Sequence, residues 1–236
     1  MNADGTGIVL RDVDVDLDGH RVLEGVSCEL DARSIAVIGP NGSGKSTFAR
    51  LLAGLVAPTR GEVRVHGIDP VAEERRLRER LGFVFSNPSA QLVMPTVRED
   101  LAFSLRGRRR DGRRLARAEI EARVEAVLAD SPLADRGDAP AFSLSGGQQQ
   151  LLALLGVLIT DPELVIADEP TALLDLVNTR TIATILLDVM PARLVLVTHD
   201  LDLARRCETA VRFEAGRLVQ QGPPDEVVAA YLASVP

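Results

Sequence analysis

Gly39-Pro40-Asn41-Gly42-Ser43-Gly44-Lys45-Ser46 fits the pattern G-x-x-x-x-G-K-[ST], between the apolar run Ile35, Ala36, Val37, Ile38 and the helix-favouring stretch Phe48 to Leu55. Strand, glycine-rich turn and helix in that order form a phosphate-binding loop. The glycines let backbone N–H groups converge on phosphate oxygens, and the helix start adds a favourable dipole. Lys45 has the length to reach β and γ oxygens, Ser46 offers its hydroxyl to Mg2+, and Thr47 follows in the same turn. Gly39, Pro40, Asn41, Gly42, Ser43, Gly44, Lys45, Ser46 and Thr47 are therefore the candidate phosphate contacts.

Outward from this loop the pattern is α/β. Ile8 to Leu17 alternates apolar residues with Asp12, Asp14 and Asp16, the period of a half-buried strand, and Val22 to Leu30 reads as a second strand. Antiparallel β at the N-terminus is expected from this pair. Val63 to Val65 and Phe83 to Phe85 have strand character, whereas Arg113 to Ala129 repeats Ala116, Ile120, Val124, Val127 and Leu128 on one helical face. Helix and strand then alternate through Gln148 to Thr160, Leu164 to Ala167, Val177 to Met190 and Leu194 to Val197, which predicts a largely parallel core sheet. No repeat or low-complexity linker appears, so one domain is expected, with a core over about 1–87 and 161–236 and a helical subdomain over about 88–160.

A second chemical element lies at Leu164-Val165-Ile166-Ala167-Asp168-Glu169, an apolar strand ending in two carboxylates. The C-terminal tips of parallel strands are where ligands of open α/β sheets bind. Asp168 is a candidate metal ligand with Ser46, and Glu169 is placed to polarise a water for in-line attack on a γ-phosphate.

Composition bounds the rest. The chain has 236 residues, 46% hydrophobic and 26% charged, as expected of a globular protein with a sizeable core. Cys28 and Cys207 lie far apart, with no metal-ligand spacing near them, and read as buried apolar residues. No apolar run is long enough to span a bilayer, and the first residues do not read as a signal peptide, so a cytoplasmic protein is expected, with any membrane role supplied by a partner. A net charge of −7 argues against a large nucleic-acid footprint. The exception is the run Arg106, Arg108, Arg109, Arg110, Arg113, Arg114 and Arg117, read as a solvated loop entering a helix, with anionic lipid headgroups the competing reading.

Leu144-Ser145-Gly146-Gly147-Gln148 resembles the signature motif of ABC ATPases and precedes the acidic pair at the family's interval. Ala172-Leu173-Leu174-Asp175 is similar to the family's D-loop, and His199 to its switch histidine. The resemblance covers essentially the whole chain. It implies a P-loop NTPase of ABC type, with a largely parallel core sheet, an antiparallel N-terminal β subdomain and a helical signature subdomain. It further implies ATP and Mg2+ as cofactors and a closed dimer with a second ATPase subunit, identical or paralogous. In such a dimer, Ser145, Gly146, Gly147 and Gln148 of one subunit close over ATP held by the other, with Lys45, Glu169 and His199 as the catalytic set. His20 and His66, in turn-like surroundings, are given no role.

The segment Asn87 to Phe103 resembles the energy-coupling-factor importers, and Val93 to Val97, Gln149-Gln150-Leu151, Leu174-Asp175-Leu176 and Thr198 to Leu203 resemble the biotin-importing branch. The implied cargo is biotin or another vitamin, though cobalt and nickel importers share much of that pattern. The implied partners are a transmembrane coupling subunit and a substrate-binding membrane subunit, which would place the chain peripherally on the cytoplasmic face of the membrane. Two departures stand out. Ser86 replaces the family's glutamine, Gln91 being five residues further on, and Leu17 replaces the aromatic residue that stacks on adenine. Competing function classes are a soluble ABC ATPase acting on DNA or the ribosome and a nucleotide-dependent module that no longer hydrolyses.

Overall fold

The computed structural model describes residues 7–110 and 113–234, with the side chains of Arg109 and Arg110 left aside. Expectations for residues 1–6, and for Asp111 and Gly112 in the arginine run, fall outside the described residues. In chain order the elements are β1 (Ile8–Leu17), β2 (His20–Leu30), β3 (Ser34–Ile38), α1 (Lys45–Leu52), β4 (Arg60–Val65), α2 (Glu74–Arg78) and β5 (Leu81–Val84). Then come α3 (Val97–Ser104), β6 (Arg109–Arg110), β7 (Arg113–Arg114), α4 (Arg117–Ala129), α5 (Gly146–Leu158), β8 (Leu164–Asp168) and α6 (Leu176–Thr184). The chain ends with β9 (Arg193–Val197), α7 (Leu201–Arg205), β10 (Thr209–Glu214), β11 (Arg217–Gly222) and α8 (Pro224–Ser234).

The chain divides into two units. One comprises the chain up to Phe83, Glu163–Glu169 and the chain from Pro191 on; the other comprises Val84–Pro162 and Pro170–Met190. In the first unit, β2, β1 and β4 form an antiparallel sheet, in that order. The main sheet runs β11-β10-β3-β9-β8-β5. Its β10–β3, β3–β9 and β9–β8 pairs are parallel and β10–β11 is antiparallel. Central strands β3, β8 and β9 are nearly continuous buried apolar runs, as sheets covered on both faces require. Phe48 of α1 and Phe213 of β10 are fully buried, with ring centroids 4.9 Å apart. The second unit is mainly helical, with α3, α4, α5 and α6 and a short β6–β7 hairpin.

Several expected boundaries shift, each for a visible reason. In β1 the pairing slips between Leu10 and Val13, and Asp12 takes φ 48°, so the alternation changes phase. Asp14 is buried as a result, where its carboxylate accepts the Gly25 N–H at 2.7 Å and faces Arg21 at 3.3 Å. The helix expected from Arg113 begins at Arg117. Arg113 and Arg114 pair with Arg109 and Arg110 in the hairpin, and Glu119 accepts both the Arg113 guanidinium and the Ala116 N–H, which ends the hairpin and starts the helix. Ala116 is exposed, and the buried face is carried by Val124 and Leu128. Helix α1 starts at Lys45 rather than Phe48, and β5 ends at Val84 rather than Phe85.

Candidate active site

Parallel order β3-β9-β8 sets three strand ends side by side, because Val37 pairs with Val197 and Val197 with Asp168. From that edge emerge the phosphate loop, His199 and the acidic pair. Gly39 leaves β3 at φ 143°, and a Cβ there would lie 2.2 Å from the Phe213 carbonyl oxygen, so both conformation and close packing require glycine. The Lys45 ammonium donates to the carbonyls of Gly39 at 2.8 Å and Pro40 at 2.9 Å. Burial holds the Lys45 pKa below the ordinary lysine value, and the charges of Glu169 and Asp168 oppose that shift.

Ser46 Oγ donates to Asp168 Oδ1 at 2.9 Å, so the two residues expected to hold a metal are together. Both offer hard oxygen atoms, the donor type Mg2+ takes alongside water and phosphate oxygens. The buried Ser43 hydroxyl, within the loop, has no hydrogen-bond partner among the described residues. An orphaned polar atom there suits a phosphate oxygen. These residues fit Mg2+ and a nucleoside triphosphate.

Glu169 follows Asp168 with φ 53°, a left-handed conformation uncommon for a non-glycine residue, and its N–H donates to the Val197 carbonyl at 2.9 Å. That turn aims the carboxylate at His199. Glu169 Oε2 lies 2.7 Å from His199 Nδ1 and accepts the His199 N–H at 3.3 Å. The histidine is 67% exposed and the glutamate 19%, so a mostly buried carboxylate is contacted by an imidazole open to solvent.

In the helical unit, Ser145 is the N-cap of α5 in a capping box: its hydroxyl accepts the Gln148 N–H at 3.4 Å, and the Gln148 side chain accepts the Ser145 N–H at 3.1 Å. Gly146 and Gly147 form the first helical residues. Asp175 caps α6, with Leu173 fully exposed at φ 63° just before it.

Ser86 is exposed, and Gln91 does not replace the family's glutamine, because its amide is already engaged. Gln91 accepts the Phe85 N–H at 3.2 Å and donates to the Ala153 carbonyl at 3.3 Å, while buried Gln150 donates to the Phe85 carbonyl at 3.2 Å. Sequence reading missed this double grip on Phe85, and also Asp100, whose buried carboxylate accepts the N–H groups of Val93 and Met94 at 2.8 and 2.9 Å. The T-x-x-E pattern of Thr96 and Glu99, a capping box in the structure, was the available signal for a helix presenting Asp100. Leu17 packs against the core of the first unit at the end of β1, paired with His20 across a tight turn.

The family model described as ABC transporter matches residues 23–172. This chain belongs to the ABC transporter family. A Deinococcus radiodurans relative, provisionally named an ABC transporter ATP-binding protein, is 46% identical over 95% of this chain and 96% of its own length. The biotin transport ATP-binding protein BioM of Rhizobium etli is 43% identical over 90% of this chain and 92% of its own. Among solved structures, a dimeric post-hydrolysis state of the ATP-binding cassette MJ0796 bound to ADP and Pi aligns with TM-score 0.79 and 26% identity, covering 92% of this chain and 98% of that one. The ABC ATPase described above is thus the ATP-binding and ATP-hydrolysing subunit of a transporter, with the mostly parallel sheet and antiparallel N-terminal sheet expected from its sequence.

Proposed function

We propose that this ATPase powers an importer of the energy-coupling-factor type whose cargo is biotin. The near full-length similarity to BioM carries this reading. Its partners are a second ATPase subunit, a transmembrane coupling subunit and a substrate-binding membrane subunit, with no nucleic acid. On this reading attachment is peripheral, on the cytoplasmic face; no described helix is long and apolar enough to cross a membrane. Exposed Val93 and Phe103, flanking the stretch fastened by Asp100, supply the apolar surface by which the Asn87 to Phe103 segment meets a membrane partner.

In the mechanism, backbone N–H groups between Asn41 and Thr47 and the Lys45 ammonium hold the phosphates of ATP. Ser46 and Asp168 would hold Mg2+, which would supply positive charge to offset that of the phosphates. Glu169 orients and deprotonates the attacking water, and His199 fixes that carboxylate through the 2.7 Å contact. Ser145 and the first amides of α5, presented by one subunit, complete the site of the other, so ATP binding favours closure and product release reopens it.

The test is to tag the chain in its native cells, solubilise membranes in mild detergent and identify what co-purifies. A membrane-embedded scaffold, a small membrane protein and bound biotin are expected. Recovery from the soluble fraction with ribosomal proteins or nucleic acid would overturn the importer reading, and another bound vitamin or a metal ion would overturn the cargo.

A further inference from the structure

Gly146 and Gly147 open the signature helix, and neither takes a positive φ, so their lack of a side chain is a matter of space rather than backbone freedom. The two differ in that space. A Cβ on exposed Gly146 would meet nothing within 4 Å among the described residues. One on buried Gly147 would lie 2.3 Å from Asn178 Cγ, 2.4 Å from Nδ2 and 2.7 Å from Oδ1. The carboxamide of Asn178 therefore occupies the place a side chain at position 147 would need.

That carboxamide is also fastened. Asn178 Nδ2 donates to Asp175 Oδ2 at 2.9 Å, and the Asn178 backbone N–H donates to Asp175 Oδ1 at 2.8 Å. Asp175 thus caps α6 with Oδ1 and fastens the Asn178 side chain with Oδ2. The amide can swing away from Gly147 only by giving up the bond to Oδ2, so the escape that is free to an unfastened side chain carries a cost here.

From this we infer that Asn178 is a positioning residue: its amide, pinned by Asp175 and seated in the gap left by Gly147, sets the start of the signature helix relative to the Leu173 to Asp175 turn. The inference rests on the proposed role of Ser145 and the α5 amides at the nucleotide of the other subunit. On this account glycine is needed at 147 because the protein itself fills the space. Room for the incoming phosphate is a separate requirement, and the two make opposite forecasts for a double substitution.

The experiment compares the full-length protein with Gly147→Ala, Asn178→Ala, the double variant and Ser145→Ala, measuring thermal unfolding and steady-state ATP hydrolysis. Gly147→Ala is expected to lower the unfolding temperature and reduce kcat by roughly tenfold or more, as overpacking at a filled position predicts. Asn178→Ala alone lowers kcat severalfold while leaving KM for ATP and the unfolding temperature near native, because first binding to the phosphate loop does not involve the signature. Adding Asn178→Ala to Gly147→Ala restores the unfolding temperature and brings kcat back to the Asn178→Ala level. A double variant as impaired as Gly147→Ala, a harmless Gly147→Ala, or an Asn178→Ala that changes KM rather than kcat overturns the inference. Ser145→Ala reports on the underlying reading separately: unchanged hydrolysis there removes the signature role, whereas a loss there without rescue in the double variant removes only the part assigned to Asn178.

Discussion

At Glu169 a strained backbone and a short contact serve the same end. The φ of 53° costs about 1 kcal/mol relative to ordinary conformations, and it turns the carboxylate from the strand tip toward His199 Nδ1. If Glu169 activates water, Glu169→Gln keeps the shape and removes the base. Hydrolysis should fall by roughly two to four orders of magnitude with ATP binding preserved, as read by single-turnover kinetics beside a nucleotide-binding titration. Equal turnover in the two proteins would leave hydrolysis at this site unsupported. Leu17 makes a second case at this scale. If Leu17 stands at the adenine, an aliphatic side chain there offers apolar packing without ring stacking, so native discrimination between ATP and GTP should be weak. Leu17→Tyr is expected to sharpen it severalfold in competition binding; an unchanged ratio would remove Leu17 from the nucleotide site.

Among the elements, the stretch from Asn87 to Phe103 is held by a capping box that the T-x-x-E pattern announces and by Asp100, whose acceptor role that pattern does not show. Asp100 is buried and accepts two backbone N–H groups, from Val93 and Met94, while Thr96 and Glu99 cap the helix that carries it. Removing a buried acceptor leaves donors unsatisfied, at a cost of about 1–3 kcal/mol. Asp100→Ala should therefore lower unfolding stability by that amount in denaturant titration. It should also weaken co-purification with membrane proteins more than it weakens ATP binding, because the loosened residues are those facing the proposed partner. Full retention of partners would detach this segment from coupling. Gln91 and Gln150 act at the same scale: by gripping both polar groups of Phe85 they present Ser86 to solvent, and Gln91 is spent on that task.

For the whole molecule, the buried thiols give a pH dependence with a definite sign. Burial pushes Cys28 and Cys207 from 9.0 up to about 12 in the folded protein. Between pH 9 and about 12 the unfolded chain releases these protons and the folded chain keeps them, so the stabilisation present below pH 9 is lost as pH rises. Each thiol contributes a slope of up to roughly 1.4 kcal/mol per pH unit in that window. Denaturant titrations at pH 8 and pH 10 should show the loss, and Cys28→Ala with Cys207→Ala should flatten it. A double variant with the native slope would assign alkaline sensitivity to other groups.

How much of this was legible follows from distance along the chain. The phosphate loop, the acidic pair and the signature are contiguous, and each depends on backbone geometry that a few neighbouring residues dictate: glycines in a turn, a cap three residues before its partner, an apolar run ending in charge. The parallel order of the main sheet followed from the alternation of strand and helix. By itself the sequence therefore determined the fold class and the residues that could handle phosphate. Only the tertiary structure decided which of them meet. Glu169 and His199 lie 30 residues apart and touch because β8 and β9 are neighbours; Asp14 is buried because a bulge changes the phase of β1. Gly39 faces the Phe213 carbonyl and Gly147 faces Asn178 through packing between separate elements. Periodicity records which face of an element is apolar, but it carries no information about the particular atom waiting on the other side.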